Sequence, residues 1–183
     1  MYEEMCRCRE LFLNFGGHPM AAGFSLEEKD IVPLRRMLNE KASVTEEELI
    51  PKVTIDVPMP VDYLYEDLVR QLELLEPFGK GNEKPVFADR DLEIESLKVF
   101  GNEGRVIRMK LKSPHGTQMD AVYFGDVDNL RLSLEEKYGK MVAEDTVSGR
   151  CVHRASLHFL YYPEIDHYYA QPRIQLKITG FCA

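Results

Sequence analysis

The sequence contains no CxxC pair, no apolar run long enough to span a membrane, no internal repeat and no low-complexity segment. Its four cysteines stand at positions 6, 8, 151 and 182, and Cys6 and Cys8 point to different faces of a predicted helix. This spacing excludes a paired redox or zinc motif and leaves reduced thiols of a cytoplasmic protein as the expectation. The five histidines, 18, 115, 153, 158 and 167, are scattered without ligand spacing around acidic partners, so no metal is expected on this chain. The N-terminus, Met1-Tyr2-Glu3-Glu4, is acidic and unlike a secretory signal. A basic excess is also missing. Lys and Arg number 23 against 31 Asp and Glu, a formal net charge of −8. That balance argues against strong nonspecific nucleic-acid binding and requires any such site to be a local basic stripe on an acidic body.

What is present has ordinary globular composition, 44% hydrophobic and 30% charged over 183 residues, enough for one domain with a further small piece. The most distinctive stretch is Phe15-Gly16-Gly17-His18-Pro19-Met20-Ala21-Ala22-Gly23-Phe24. Adjacent glycines let backbone N–H groups approach a ligand closely, and His18 supplies a donor for an anionic oxygen. The residues alone fit a phosphate-binding turn, and equally a tight turn whose histidine is satisfied by the backbone.

Along the chain, apolar spacing predicts a helix over 2–15 and a short strand from Met20 to Leu26. A helix over 31–43 follows, capped by Asp30 and burying Ile31, Leu34, Leu38 and Ala42. Residues 45–48 read as an acidic linker, with a domain boundary near residue 49. Lys52 to Val57 reads as a strand, and 62–75 as an amphipathic helix with Asp62 as its cap. Pro77-Phe78-Gly79-Lys80-Gly81-Asn82 reads as a helix-to-barrel path anchored by Phe78, since its glycine spacing is not that of a phosphate-binding loop. From Val86 the period changes to two, with strands at 92–100, 106–112, 118–124, about 152–162 and 172–181. A short helix falls after the third, and 140–150 reads as loop. Five strands with a helix between the third and fourth match an oligonucleotide-binding barrel, and a generic small barrel or open sheet fits the pattern as well.

Two motifs carry a family resemblance. Gly16-Gly17-His18 followed by Ala21-Ala22-Gly23 resembles the signature of the DHH-associated domain of DHH phosphoesterases. The lead-in Glu10 to Phe15, the follow-on Gly23 to Leu26, and Leu75-Glu76-Pro77-Phe78-Gly79-Lys80-Gly81-Asn82 resemble the RecJ family of single-strand-specific DNA exonucleases. The resemblance implies an α+β chain: the end of a DHH-associated domain over 1–49, then an OB-like five-stranded barrel with flanking helices over 50–183. It implies that Gly16, Gly17 and His18 hold a substrate phosphate and that single-stranded DNA is the partner. A 5′-to-3′ exonuclease would cut with Mn or Mg held in a DHH domain joined in cis. No Asp-His-His run occurs here, so no catalytic residue is expected on this chain, which alone is expected to be inactive. DNA repair and recombination are the implied setting, with repair proteins open as partners.

On the barrel, Arg105, Arg108, Lys110 and Lys112 could track a phosphate backbone, with Lys98 opposite on the hairpin partner. They could equally be the solvated face of an antiparallel sheet. Tyr161, Tyr162, His167, Tyr168 and Tyr169 cluster around the last strand-to-strand loop near Arg154 and Arg173, and either stack bases or pack a hairpin end. Two other functions stay open: a DHH phosphodiesterase of short oligonucleotides or cyclic dinucleotides, and a non-catalytic protein-interaction module.

Overall fold

A computed structural model describes residues 2–42, 45–49, 52–101, 104–168 and 171–183. The chain forms two compact units, Met1–Val53 and Thr54–Ala183.

In the first unit, α1 (Tyr2–Cys6) leads through a 3-10 turn at Arg9–Leu11 into the antiparallel hairpin of β1 (Asn14–His18) and β2 (Ala21–Ser25). The helix expected over 2–15 therefore stops at Cys6. Asn14, Gly16 and Gly17 are poor helix formers, and pairing of Phe15 with Phe24 across the hairpin draws that stretch into a strand. Helix α2 (Ile31–Lys41) buries Leu34, while Ile31 and Val32 stay exposed. Asp30 makes no side-chain cap, because a 3-10 turn at Glu28–Asp30 holds it in a helical conformation rather than the extended one a cap requires. The expected linker contains a short helix, α3 (Glu46–Leu49). Thr45 Oγ1 accepts from the Glu48 amide, and a Glu48 carboxylate oxygen accepts from the Thr45 amide, a capping box written in the Thr-x-x-Glu sequence.

The second unit begins with β3 (Val57–Pro58), two residues where a strand from 52 was expected. A 3-10 turn at Val61–Tyr63 precedes α4 (Glu66–Glu73), shorter than the expected 62–75. Asp62 does not cap it, and instead accepts from Ser113 Oγ at 2.7 Å. Strands β4 (Phe87–Phe100), β5 (Val106–Lys112) and β6 (Gln118–Phe124) form an antiparallel meander. Helices α5 (Val127–Tyr138) and α6 (Lys140–Val147) cross to β7 (Ser156–Asp166) and β8 (Arg173–Cys182). Helix α6 replaces an expected loop: Gly139, at φ +81°, ends α5, and the next helix buries only the small Ala143 and Thr146, a weak apolar signal.

Strand β8 lies between β6, to which it is parallel, and β7, and β7 pairs back with β4. Five strands in the order β4-β5-β6-β8-β7 thus close on themselves as an OB-like barrel, with β3 appended in parallel to β4. Alternate residues point inward, and Leu92, Ile94, Ile107, Leu111, Leu157 and Leu176 are fully buried with Leu130 and Leu134 of α5. Closure leaves the outer wall as the surface on which the meander can display polar side chains. Among the described residues, no helix is long and apolar enough to cross a membrane.

Candidate nucleic-acid interface

The first unit supplies a hairpin with two unlike faces. Register pairs Asn14 with Ser25, Gly16 with Gly23, and His18 with Ala21 on one face, and Phe15 with Phe24 on the other. The aromatic face packs: Phe15 stacks on Tyr2 at 5.2 Å and on Phe12 at 5.3 Å, and Phe24 meets Phe12 at 4.8 Å. The opposite face is nearly bare backbone between the Asn14 to Ser25 hydrogen bond at one end and His18 at the other.

The two expected glycines have different reasons to be there. A Cβ at Gly17 would strike the Ala21 carbonyl oxygen and fall 2.7 Å from the Ala22 Cα, so the hairpin itself demands glycine. A Cβ at Gly16 would meet nothing within 4 Å. Both glycines lie in β1, and the turn is made by Pro19 and Met20 instead. Exposed His18 accepts the Met20 amide on Nδ1 at 3.3 Å, so a neutral ring carries its proton on Nε2, a donor for an anionic oxygen.

In the second unit, register places the expected cations on the outer wall. Lys98, Arg108, Val122 and Lys177 form one cross-strand row, and Ser96, Lys110, Asp120 and Gln175 form the next. From Glu93 of β4 onward and across β5, β6 and β8, the outward positions carry six cations, Lys98, Arg108, Lys110, Lys112, Arg173 and Lys177, against Glu93, Glu95 and Asp120. On a chain of net charge −8 this is a local basic surface. Lys98, Arg108 and Lys110 make no ion pair among the described residues, whereas Lys112 pairs with Glu95 at 3.4 Å and Lys177 with Glu164 at 3.8 Å. Arg105 lies just before β5, lining a cleft of about 490 Å³ with Val106, Phe124, Gly125 and Asp126. The β4–β5 turn and the β7–β8 turn bracket this wall at opposite ends of its strands, the arrangement by which OB folds bind oligonucleotides.

The tyrosine cluster divides. Tyr161 points inward, fully buried, and its hydroxyl donates to the Met59 carbonyl at 2.7 Å; burial pushes its phenol well above the ordinary range. Tyr162 points outward but is only 3% exposed, covered by Phe78 at 5.8 Å and by the Lys84 ammonium at 4.3 Å from its ring centroid. Neither can stack on a base. Tyr168 is 84% exposed, with its amide donating to Asp166, and Tyr169 lies outside the described residues. His167 lines a cleft with Glu73, Glu76 and Glu164, whose charge disfavours a phosphate backbone there.

The other histidines are locally engaged. His153 Nε2 lies 3.0 Å from Asp145, His158 Nδ1 accepts the Asp91 amide at 3.1 Å, and the His115 amide donates to Ser113 Oγ. Among the described residues, no group of three or more His, Cys, Asp or Glu side chains is placed to hold a metal ion. Sequence reasoning missed two aromatics on the outer wall, Phe100 and Phe124, both exposed and each under a cation. Their outward parity in β4 and β6 was the available signal.

Comparison with known proteins gives these features a setting. A sequence model described as the RecJ OB domain matches residues 55–180. The single-stranded-DNA-specific exonuclease RecJ of Bacillus subtilis strain 168 is 32% identical over 126 residues, covering 68% of this chain and 16% of that protein. The protein of the same name from Thermus thermophilus is 28% identical over 162 residues, covering 88% of this chain and 23% of its own length. The crystal structure of Thermus thermophilus RecJ in complex with Mg2+ superposes with a TM-score of 0.70 at 18% identity, covering 99% of this chain and 24% of that one. The chain thus spans less than a quarter of the relatives it matches.

Proposed function

This chain belongs to the RecJ OB-domain family, and on that premise we propose that it grips and guides single-stranded DNA for a RecJ-like exonuclease. The observation that carries the reading is the closed barrel whose outer wall holds Lys98, Arg108 and Lys110 without ion pairs among the described residues. Cations on alternate positions of one strand can follow a sugar–phosphate backbone, and they need no sequence to do so.

In this reading residues 1–49 end a DHH-associated domain and 50–183 form the strand-holding domain. Gly16 and Gly17 bring bare backbone to a phosphate, and the Nε2–H of His18 donates to its oxygen. The parent enzyme would hydrolyse phosphodiester bonds from the 5′ end, in the cytoplasm, during DNA repair and recombination. Hydrolysis belongs to the part of such enzymes that this chain does not cover, and the chain alone is expected to bind without cutting. A divalent cation, Mg2+ or Mn2+, would supply Lewis-acid activation of water there. Related RecJ structures were solved with each ion.

The test is binding of the chain to fluorescent single-stranded and duplex DNA across a salt series. Single-strand binding that weakens with salt, and falls in the Arg108→Gln, Lys110→Gln double variant, supports the reading. A folded chain that binds neither DNA at low salt overturns it and points to a protein-docking module.

A further inference from the structure

The barrel wall displays two phenylalanines that its core does not use. Phe100 closes β4 and Phe124 closes β6, and both register with Val106 of β5, so they stand in one cross-strand row. They are 46% and 63% exposed, and neither belongs to the core cluster. Each ring is met by a cation from the adjacent row. The Arg108 guanidinium carbon lies 5.6 Å from the Phe100 centroid, and the Lys177 ammonium lies 5.0 Å from that of Phe124. Val122, in register between Arg108 and Lys177, is 3% exposed although it too lies outside the core cluster. The outer wall is therefore packed over Val122 at this end, while the two rings stay open to solvent with a cation beside each.

We propose that Phe100 and Phe124 are base-stacking positions that give this wall its preference for single-stranded over duplex DNA. The proposal deepens the strand-guiding reading above and rests on it. A row of cations cannot by itself make that choice, since single strands and duplexes both present phosphates. A duplex hides the faces of its bases in its own stack, whereas a single strand can offer them to an aromatic ring. The cation on one face of each ring leaves the other face for a base and holds the adjoining phosphate near it. The two phenylalanines sit two strands apart, about 9 to 10 Å at the spacing of paired strands, so they take bases at separate steps rather than sandwiching one. Every base has a π-face, so the device selects strandedness and not sequence. It places stacking on exposed rings of the wall, whereas Tyr161 and Tyr162 of the tyrosine cluster are buried.

The experiment compares three ligands of equal length by fluorescence anisotropy on the full chain: oligo-dT, an abasic deoxyribose-phosphate strand, and a duplex. The wild type should favour oligo-dT over the abasic strand, each ring accounting for roughly fivefold or more. Phe100→Leu and Phe124→Leu should lower that ratio, and the double variant should bring it close to one, with the salt dependence unchanged. Phe124→Tyr, which keeps an aromatic face, should restore the ratio in its single background. Thermal melts of each variant establish that it is folded. Equal wild-type affinity for oligo-dT and the abasic strand overturns the stacking proposal while leaving the strand-guiding reading standing. So does a folded double variant that keeps the wild-type ratio. Absence of binding to all three ligands at low salt overturns the strand-guiding reading and the stacking proposal with it.

Discussion

The backbone amide of Met20 donates to Nδ1 of His18 at 3.3 Å, closing the tip of the glycine-rich hairpin through the histidine ring. The bond occupies one ring nitrogen and leaves Nε2 as the donor of a neutral imidazole. Glutamine can place an amide N–H near the Nε2 position, whereas asparagine is too short to do so. His18→Gln is therefore expected to retain part of the affinity for 5′-phosphorylated single strands. His18→Asn and His18→Ala should each lose about 1.5 to 3 kcal/mol, the worth of a hydrogen bond to a charged acceptor. Equal binding by all three variants and the wild type would remove His18 from the phosphate site.

The neighbouring glycines separate folding from binding. At Gly17 an added Cβ would lie 2.7 Å from the Ala22 Cα and against backbone oxygen, so Gly17→Ala must spread the hairpin. At Gly16 the space is open, and an alanine there adds a methyl group only where a ligand would come. Hydrogen exchange on the β1–β2 amides should rise in Gly17→Ala and stay at wild-type protection in Gly16→Ala. DNA affinity should fall in both. A Gly16→Ala protein with unchanged affinity would show that this backbone does not approach the strand.

The barrel was legible because most of its strands alternate buried and exposed positions. In β5, Ile107, Met109 and Leu111 alternate with Arg108, Lys110 and Lys112, and a one-residue slip would expose all three apolar side chains. The cationic wall was legible for the same reason. What was not legible depends on contacts between distant segments. Tyr162 has outward parity in β7, yet Phe78 and Lys84 from the segment before β4 cover it. Phe100 and Phe124 lie in different strands, and only the register through Val106 brings them into one row. Residues 2–15 misled because apolar positions at helical spacing also serve a short helix, a turn and an aromatic-faced strand.

Salt dependence distinguishes cations that meet phosphate from cations that only solubilise the sheet. On a single strand, each neutralised phosphate contributes about 0.7 to the slope of log affinity against log salt. Arg108→Gln and Lys110→Gln should each lower that slope by about this amount. Lys112→Gln should change it less, since Lys112 is already paired with Glu95 at 3.4 Å. Binding titrations between low and moderate salt measure the slopes directly. A larger change at Lys112 than at Arg108 would shift the strand's path towards the β5–β6 turn.

Two aspartates near the entrance to the barrel should respond to acid in opposite senses. Hydrogen bonds from Thr117 and Ser113 outweigh burial at Asp62 and hold its carboxyl below the usual aspartate value. The folded state then stays ionised where the unfolded chain takes up a proton, so the stability Asp62 contributes is full above the unfolded pKa. It is lost as pH falls through the folded value. At Asp89 burial prevails over the hydrogen bonds from the Val61 and Arg90 amides and raises the pKa. Between the unfolded pKa and that raised value the folded state holds the extra proton, so this residue's contribution declines as pH rises through the window. Asp62→Asn should therefore flatten the loss of stability on acidification, and Asp89→Asn should steepen it. Urea midpoints taken from neutral pH into the acid range measure both. Parallel shifts in the two variants would show that neither local hydrogen-bonding environment governs the acid response, leaving net charge as its cause.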